Sequence, residues 1–217
     1  MKILLQFSFV IITMLFLTGC FEIVEKMHLN ADGSGTYDIT FNASQSKERL
    51  KRVMAQDSIG QVKVPSLARI NEKLTQAKNQ LLNQPGIEKA TYSIDQQNYI
   101  VEFNVTFKEL TALNKAYDSF FKGDNKIYFS KSNESISRNI SEKVIKELNK
   151  KLLQYPVFKI GSGHLTSIYS FEQPIESSSC PVTKLSKTGK SCLTRVSLGD
   201  LLADADECQR HIYIYQK

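Results

Sequence analysis

Four cysteines and three histidines are the residues through which this chain could do chemistry, and their spacing is informative mostly for Cys20. The others are Cys180, Cys192 and Cys208, all in the last forty residues, and His28, His164 and His211. No Cys-x-x-Cys pair occurs, so structural zinc is not indicated, and the histidines stand far apart without ligand spacing. The expectation is no metal and no cofactor. His28 and His211 fall inside alternating strand patterns. His164 follows Gly161-Ser162-Gly163, a loop suited to function. That loop is not the Gly-x-Ser-x-Gly turn of a nucleophilic serine, because its glycines adjoin the serine. Asp32-Gly33-Ser34-Gly35 lacks the alternating acids and terminal glutamate of a calcium loop and reads as a hairpin turn. Paired carboxylates for glycoside hydrolysis meet in space rather than in sequence, so spacing does not reveal them. Tryptophan is absent, and most of the 9 tyrosines and 12 phenylalanines fall on apolar faces. Tyr213 and Tyr215 form the best candidate for an exposed aromatic strip. No residue is assigned a catalytic role.

Cys20 is different. Met1 and Lys2 give a positive start, Ile3 to Leu17 run without charge, and Leu17-Thr18-Gly19-Cys20 brings small residues to the cysteine. That order is a secretory signal. Its last four residues resemble the bacterial lipobox, which implies cleavage between Gly19 and Cys20 and a diacylglycerol thioether on the Cys20 thiol, with palmitate among the acyl chains. The apolar run is shorter than the roughly 20 residues needed to span a bilayer. Buried acyl chains contribute about 0.8 kcal/mol per CH₂, and two chains anchor stably. Phe21 rather than aspartate follows the cysteine, which by resemblance to enteric sorting rules leans toward the outer membrane. The expected partner is therefore a membrane, reached through lipid on Cys20.

Loss of residues 1–19 from the 217 leaves 198, enough for a sizeable core, and takes the net charge from +6 to +5 with the departure of Lys2. Lys47, Arg49, Lys51 and Arg52, like Lys150 and Lys151, lack the continuous basic block of a nucleic-acid arm and read as solvated helix faces, with attraction to anionic headgroups or acidic glycans as the alternative. No nucleic-acid partner is expected. An exported chain meets an oxidising compartment, so one disulfide is expected among the three remaining cysteines.

Two hairpins must carry whatever the chain does. Ile23, Met27 and Leu29 alternate with polar positions, as do Tyr37, Ile39 and Phe41, around a glycine-bearing turn. Ala90, Tyr92 and Ile94, then Tyr99, Val101, Phe103, Val105 and Phe107, repeat the plan around Gln96-Gln97-Asn98. Between the hairpins, Ser44 or Ser46 caps a short helix through Met54, and Asp57 to Pro65 is looser. Ser66 then caps a longer helix with Leu67, Ile70, Leu74, Ala77 and Leu81 inward. Pro85-Gly86 ends it. Glu109 to Phe121 is a further helix, Lys126 to Lys131 a short strand extending the same sheet, and Ser132 to Asn139 a polar loop. Ser141 to Tyr155 reads as a helix with Val144, Ile145, Leu148 and Leu152 inward. The tail is β-rich: Ile168 to Ile175 with Pro174 near its end, a hairpin of Val182 to Ser186 with Ser191 to Ser197, a helical turn or two in Gly199 to Asp206, and a final strand Gln209 to Gln216. If the first and last tail strands pair antiparallel, Cys180 and Cys208 come within bridging distance, leaving Cys192 as the buried thiol.

The expected fold class is α+β: an antiparallel sheet built from β-hairpins, helices packed on one face, and a β-rich C-terminal part. The expected units are a signal peptide at 1–19, a hairpin and helix domain at 20–160, and a β-rich part at 161–217 packed on the same sheet. Cys20-Phe21-Glu22-Ile23-Val24-Glu25 leading to Asp32-Gly33-Ser34-Gly35 resembles the start of uncharacterised bacterial lipoproteins, many from Bacteroidetes. Ile168 to Ile175 followed by Leu185-Ser186-Lys187-Thr188-Gly189-Lys190 is similar to their ending, and more distantly to LppM-like lipoproteins. The resemblance implies an envelope lipoprotein with an α+β domain and carries over no catalytic residue. The functional expectation is a lipid-anchored binding or structural protein of the cell envelope, with an envelope protein, lipid or glycan as partner. The alternative is an envelope hydrolase using scattered carboxylates and His164.

Overall fold

The structure is a computed structural model and describes residues 21–59, 62–121, 128–132, 135–138, 163–203 and 210–214. Both sequence hairpins form as the alternation dictates. Strands β1 (Glu22–Leu29) and β2 (Gly35–Asn42) pair antiparallel in full register, as do β5 (Ile87–Asp95) and β6 (Ile100–Phe107) apart from a bulge at Ile87/Lys89. The second hairpin docks on the first through β2 and β6. Gly35 begins β2 because nothing larger fits. A Cβ there would lie 2.1 Å from the His28 carbonyl oxygen and 2.9 Å from the Phe107 ring.

Between the hairpins lie a short 3-10 turn, helix α1 (Lys47–Met54), a two-residue hairpin of β3 (Ser58–Ile59) and β4 (Val62–Lys63), and helix α2 (Leu67–Leu82). The Ser66 hydroxyl accepts from the Arg69 amide at 3.2 Å, the expected cap of α2. Helix α3 (Leu110–Phe121) follows β6, then β7 (Phe129–Lys131) and β8 (Ser135–Arg138). The polar stretch expected to be a loop over 132–139 is thus partly a strand. The tail supplies β9 (His164–Phe171), β10 (Ile175–Ser178), β11 (Lys184–Leu185), β12 (Ser191–Ser197), helix α4 (Leu198–Ala203) and β13 (Arg210–Ile214). The expected helix over 141–155 lies outside the described residues.

Seven strands form one sheet in the order β11-β12-β9-β1-β2-β6-β5, and four more form a second, β10-β13-β8-β7. All pairs are antiparallel except β1 with β9. Parallel neighbours need a long connection, and here everything from residue 30 to 163 separates them.

This topology corrects two expectations. Strand β7 joins the second sheet rather than extending the first. The first tail strand does not pair with the last, because β1 and β12 occupy both edges of β9. The chain leaves the large sheet at Glu172–Pro174, and β10, beginning at Ile175, meets β13 instead. The smaller tail hairpin matches expectation, with Leu185 opposite Cys192.

One face of the large sheet is covered. Helix α3 buries Leu110, Ala112, Leu113 and Ala116 against Phe107, Val105 and Met27, while Phe129 and Ile136 bring the second sheet onto Tyr37 and Tyr169. Asn114 of α3 clamps the strand beside it, donating to the Phe129 carbonyl at 2.6 Å and accepting from its amide at 2.9 Å. A second cluster closes the end of the sheet where the described chain begins: Phe21, Ala43, Leu50, Leu165, Val196, Leu198 and Leu201. The opposite face is polar, with pairs such as Asp38 with Asn104 at 3.0 Å and His28 with Ser170 at 3.0 Å. One buried face and one hydrated face is the usual economy of an antiparallel sheet.

Candidate functional site

Gly19 and Cys20 lie outside the described residues, but their immediate neighbour does not. Phe21 is buried, its ring 5.6 Å from that of Phe41, and its carbonyl accepts from the His164 amide at 3.1 Å. Gly163 lets this happen, since a Cβ there would stand 2.7 Å from Leu198 and 2.8 Å from the Phe21 ring. The alternating pattern starting at Ile23 made β1 readable. The anchoring of Phe21 itself depends on β9, α1 and α4, which arrive from distant parts of the chain.

The residues nominated for other chemistry are not brought together. His164 starts β9 opposite Glu22 and Ser197, while His28 pairs with Ser170 near the other end of the same strands. His211 is in β13, with its side chain outside the described part. Cys180 follows β10 as a half-buried free thiol, and its nominated partner Cys208 lies outside the described residues. Cys192 is buried, as expected. Tyr215 and the side chain of Tyr213 also lie outside. Asp32 closes the first hairpin, accepting from the amide and hydroxyl of Ser34, and these bonds hold its carboxyl below the usual range. Among the described residues no group of three or more His, Cys, Asp or Glu could hold a metal ion.

The pronounced polar feature of the interior is a cluster the sequence reading passed over. Glu25 continues the inward series Ile23, Met27 and Leu29, and is 2% exposed. Arg138 on β8 donates from Nη2 to Glu25 Oε2 at 2.8 Å, and the Tyr37 hydroxyl donates to the same oxygen at 3.0 Å. The Tyr169 hydroxyl donates to Glu25 Oε1, and that of Tyr117 donates to the Tyr37 hydroxyl. Ser167 faces Glu25 from the adjoining strand. It helps stabilise the charge, although its hydroxyl makes no hydrogen bond of good geometry. Arg138 Nη1 is buried without a partner among the described residues.

Burial alone would raise the Glu25 carboxyl. Arg138, then Tyr169, Ser167 and Tyr37, outweigh it, so the group titrates below the ordinary carboxylate value. For Arg138 burial disfavours the charge, but the Glu25 carboxylate prevails and holds it protonated. Burial, followed by the Glu25 charge, pushes both Tyr37 and Tyr117 upward. This is a neutral, locked assembly. A carboxylate sealed from solvent with both oxygens engaged has no room to take a substrate proton, so its role is to tie β8 to β1, β2 and β9. The signal for it was available: a lone glutamate at an inward position of a strand demands a buried partner.

An open groove of about 430 Å³ lies between the start of α2 and β5, lined by Leu67, Ala68, Asn71, Tyr92, Ser93, Ile94 and Gln96. Tyr92 is held there by Asn71 at 2.9 Å and Thr75 at 2.7 Å. The lining contains no carboxylate and no histidine, so this groove does not supply the acid pair that the hydrolase alternative requires.

No family model matches the chain, and no curated protein matches it. The fold is similar to the NMR structure of the folded domain of the LppM protein of Mycobacterium tuberculosis. The match has 8% identity and a TM-score of 0.41, and covers 89% of this chain and 87% of that one. A likeness at that level leaves the function of this chain to its own residues. No helix among the described residues is long and apolar enough to cross a membrane.

Proposed function

We propose that this chain is a lipid-anchored cell-envelope protein, held through Cys20, with a binding or structural role rather than a catalytic one. The observation that carries the reading is the placement of Phe21. The residue after the lipobox-like cysteine is already core, so an acyl group on Cys20 would join the membrane to the folded domain without a tether. The internal polar groups support a structural role, since the buried carboxylate is consumed in joining two sheets. The outer membrane is the membrane favoured by Phe21 following the cysteine.

Metabolic labelling with an alkynyl fatty acid tests the anchor. The wild-type protein should take up label and fractionate with membranes, and Cys20→Ser should take up none. Equal labelling of the two proteins would sink the reading. Hydrolysis of an envelope polymer by pure protein, abolished by one side-chain change, would restore the enzyme alternative.

A further inference from the structure

The end of the sheet that carries Phe21 also carries a basic helix. Leu50 of α1 belongs to the same buried cluster as Phe21, so α1 is docked where the chain departs toward Cys20. Helix α1 holds Lys47, Arg49, Lys51 and Arg52 against a single acid, Glu48. Lys51 and Arg52 are exposed, and Arg49 is half-buried. None of these three forms an ion pair among the described residues. Lys47 instead reaches the turn of the second hairpin, donating to Asn98 at 3.5 Å. Glu48, three and four residues before Lys51 and Arg52, forms no ion pair with either among the described residues and offsets one of the cations at most. Glu22 beside Phe21 is engaged by Arg195 at 3.5 Å and by the Thr166 hydroxyl at 2.7 Å. Asp95 is bound within its own turn by the Gln97 and Asn98 amides, Asp57 lies beyond the end of α1, and Asp200 sits on α4.

We propose that α1 is a headgroup-binding face, placing Arg49, Lys51 and Arg52 against anionic phospholipid in the membrane that holds the lipid on Cys20. This rests on the anchor proposed above. A cysteine one peptide bond from Phe21 brings the Phe21 end to the bilayer, and an attached helix with unneutralised cations then lies within reach of a negative surface. Such cations act within a Debye length of about 8 Å at physiological salt. The pairing of anchor and basic patch is the two-signal logic by which lipid-modified proteins bind stably. Lys51 and Arg52 also suit the last turn of a helix, where cations complement the dipole. A purely structural role would therefore show as lost stability without lost membrane affinity.

The test uses the unacylated mature chain with Cys20→Ser, which retains every described element, in cosedimentation with vesicles. Phosphatidylcholine vesicles containing phosphatidylglycerol should bind it better than phosphatidylcholine alone, with the difference vanishing at high salt. Lys51→Gln with Arg52→Gln should weaken that binding by roughly 25-fold, from about fivefold per cation, with only the small fall in melting temperature that loss of two dipole-complementing cations brings. Lys26→Gln, on the exposed polar face of β1, should bind like the parent. Equal binding to both vesicle types, an unaffected double variant, or an equal loss in Lys26→Gln would overturn the proposal. Fatty-acid labelling of the wild-type protein is scored separately, so a failed anchor and a failed headgroup face give different results.

Discussion

At the scale of single residues, Glu25 and Arg138 present a choice between strength and specificity. Taking both charges out of water costs several kcal/mol per ion, and their mutual attraction repays it only with good geometry and additional hydrogen bonds. Here Tyr37 and Tyr169 supply those bonds, but among the described residues Arg138 Nη1 goes unsatisfied. The pair is therefore better understood as fixing where β8 lies than as a large source of stability. Arg138→Met strands a buried carboxylate and should cost about 3–5 kcal/mol. The double variant Arg138→Met with Glu25→Leu removes the stranded charge and should be less destabilised than Arg138→Met alone. It should not recover fully, because the hydroxyls of Tyr37 and Tyr169 lose their acceptor. Urea unfolding of the three proteins decides this, and a double variant worse than the single would refute the account. The pH dependence has a definite sign. The folded-state value of Glu25 lies below the ordinary one, so its contribution is complete above the unfolded carboxylate range near 4.5 and is lost as pH falls through the lower folded value. Glu25→Gln should be less stable than the parent at neutral pH, and the gap should narrow on acidification through that window.

At the scale of elements, local pattern and long-range pairing were unequally legible. Period-two alternation identified β1, β2, β5 and β6, because each exposes one face to water and one to the core. Strand β8 was missed for a physical reason. Ser135-Ile136-Ser137-Arg138 offers one apolar side chain, and Arg138 becomes an interior residue only when Glu25 meets it. The parallel pairing of β1 with β9 was equally invisible, since adjacent strands far apart in sequence leave no local trace. The diversion of β10 to β13 bears on the disulfide expectation. Strand β10 ends at Ser178, opposite Ile212, before Cys180 is reached, and Cys208 lies outside the described residues. The structure holds Cys180 as a free thiol, so a bridge between Cys180 and Cys208 stays a proposal for the oxidised exported protein, resting on the compartment rather than on strand pairing. Thiol titration under denaturing conditions should find one free thiol, Cys192, in mature acylated protein, and three would refute the bridge. Closure of a loop of about 29 residues would contribute about 3.6 kcal/mol in the chain-entropy account, enough to secure the last strand of the smaller sheet.

At the scale of the whole molecule, the anchor and the long sheet together define an orientation. Strand β1 starts beside Phe21 and runs for 8 residues to the turn at Asn30–Ser34. At about 3.3 Å per residue this is on the order of 26 Å. With Phe21 buried in the cluster next to the proposed lipid, the chain has little slack with which to reorient. Helix α1 shares that cluster, whereas the first hairpin turn is tied to the opposite end: the Ala31 amide donates to Glu172 at 2.7 Å, and Lys131 donates to the Ala31 carbonyl at 2.8 Å. A sheet standing on its Phe21 end should therefore carry Asp32 well away from the bilayer while Arg52 stays near it. Energy transfer from a fluorophore at either position to an acceptor dye in the vesicle membrane would measure the difference on the acylated protein. Stronger transfer from position 52 than from position 32 is expected. Insertion of a long Gly-Ser segment between Cys20 and Phe21 should abolish the difference if the short connection alone orients the domain. If instead the headgroup face on α1 also orients it, the difference should persist on vesicles rich in phosphatidylglycerol and disappear on neutral ones. Equal transfer from both positions in the unmodified protein would mean that the sheet lies flat, and would refute the upright arrangement.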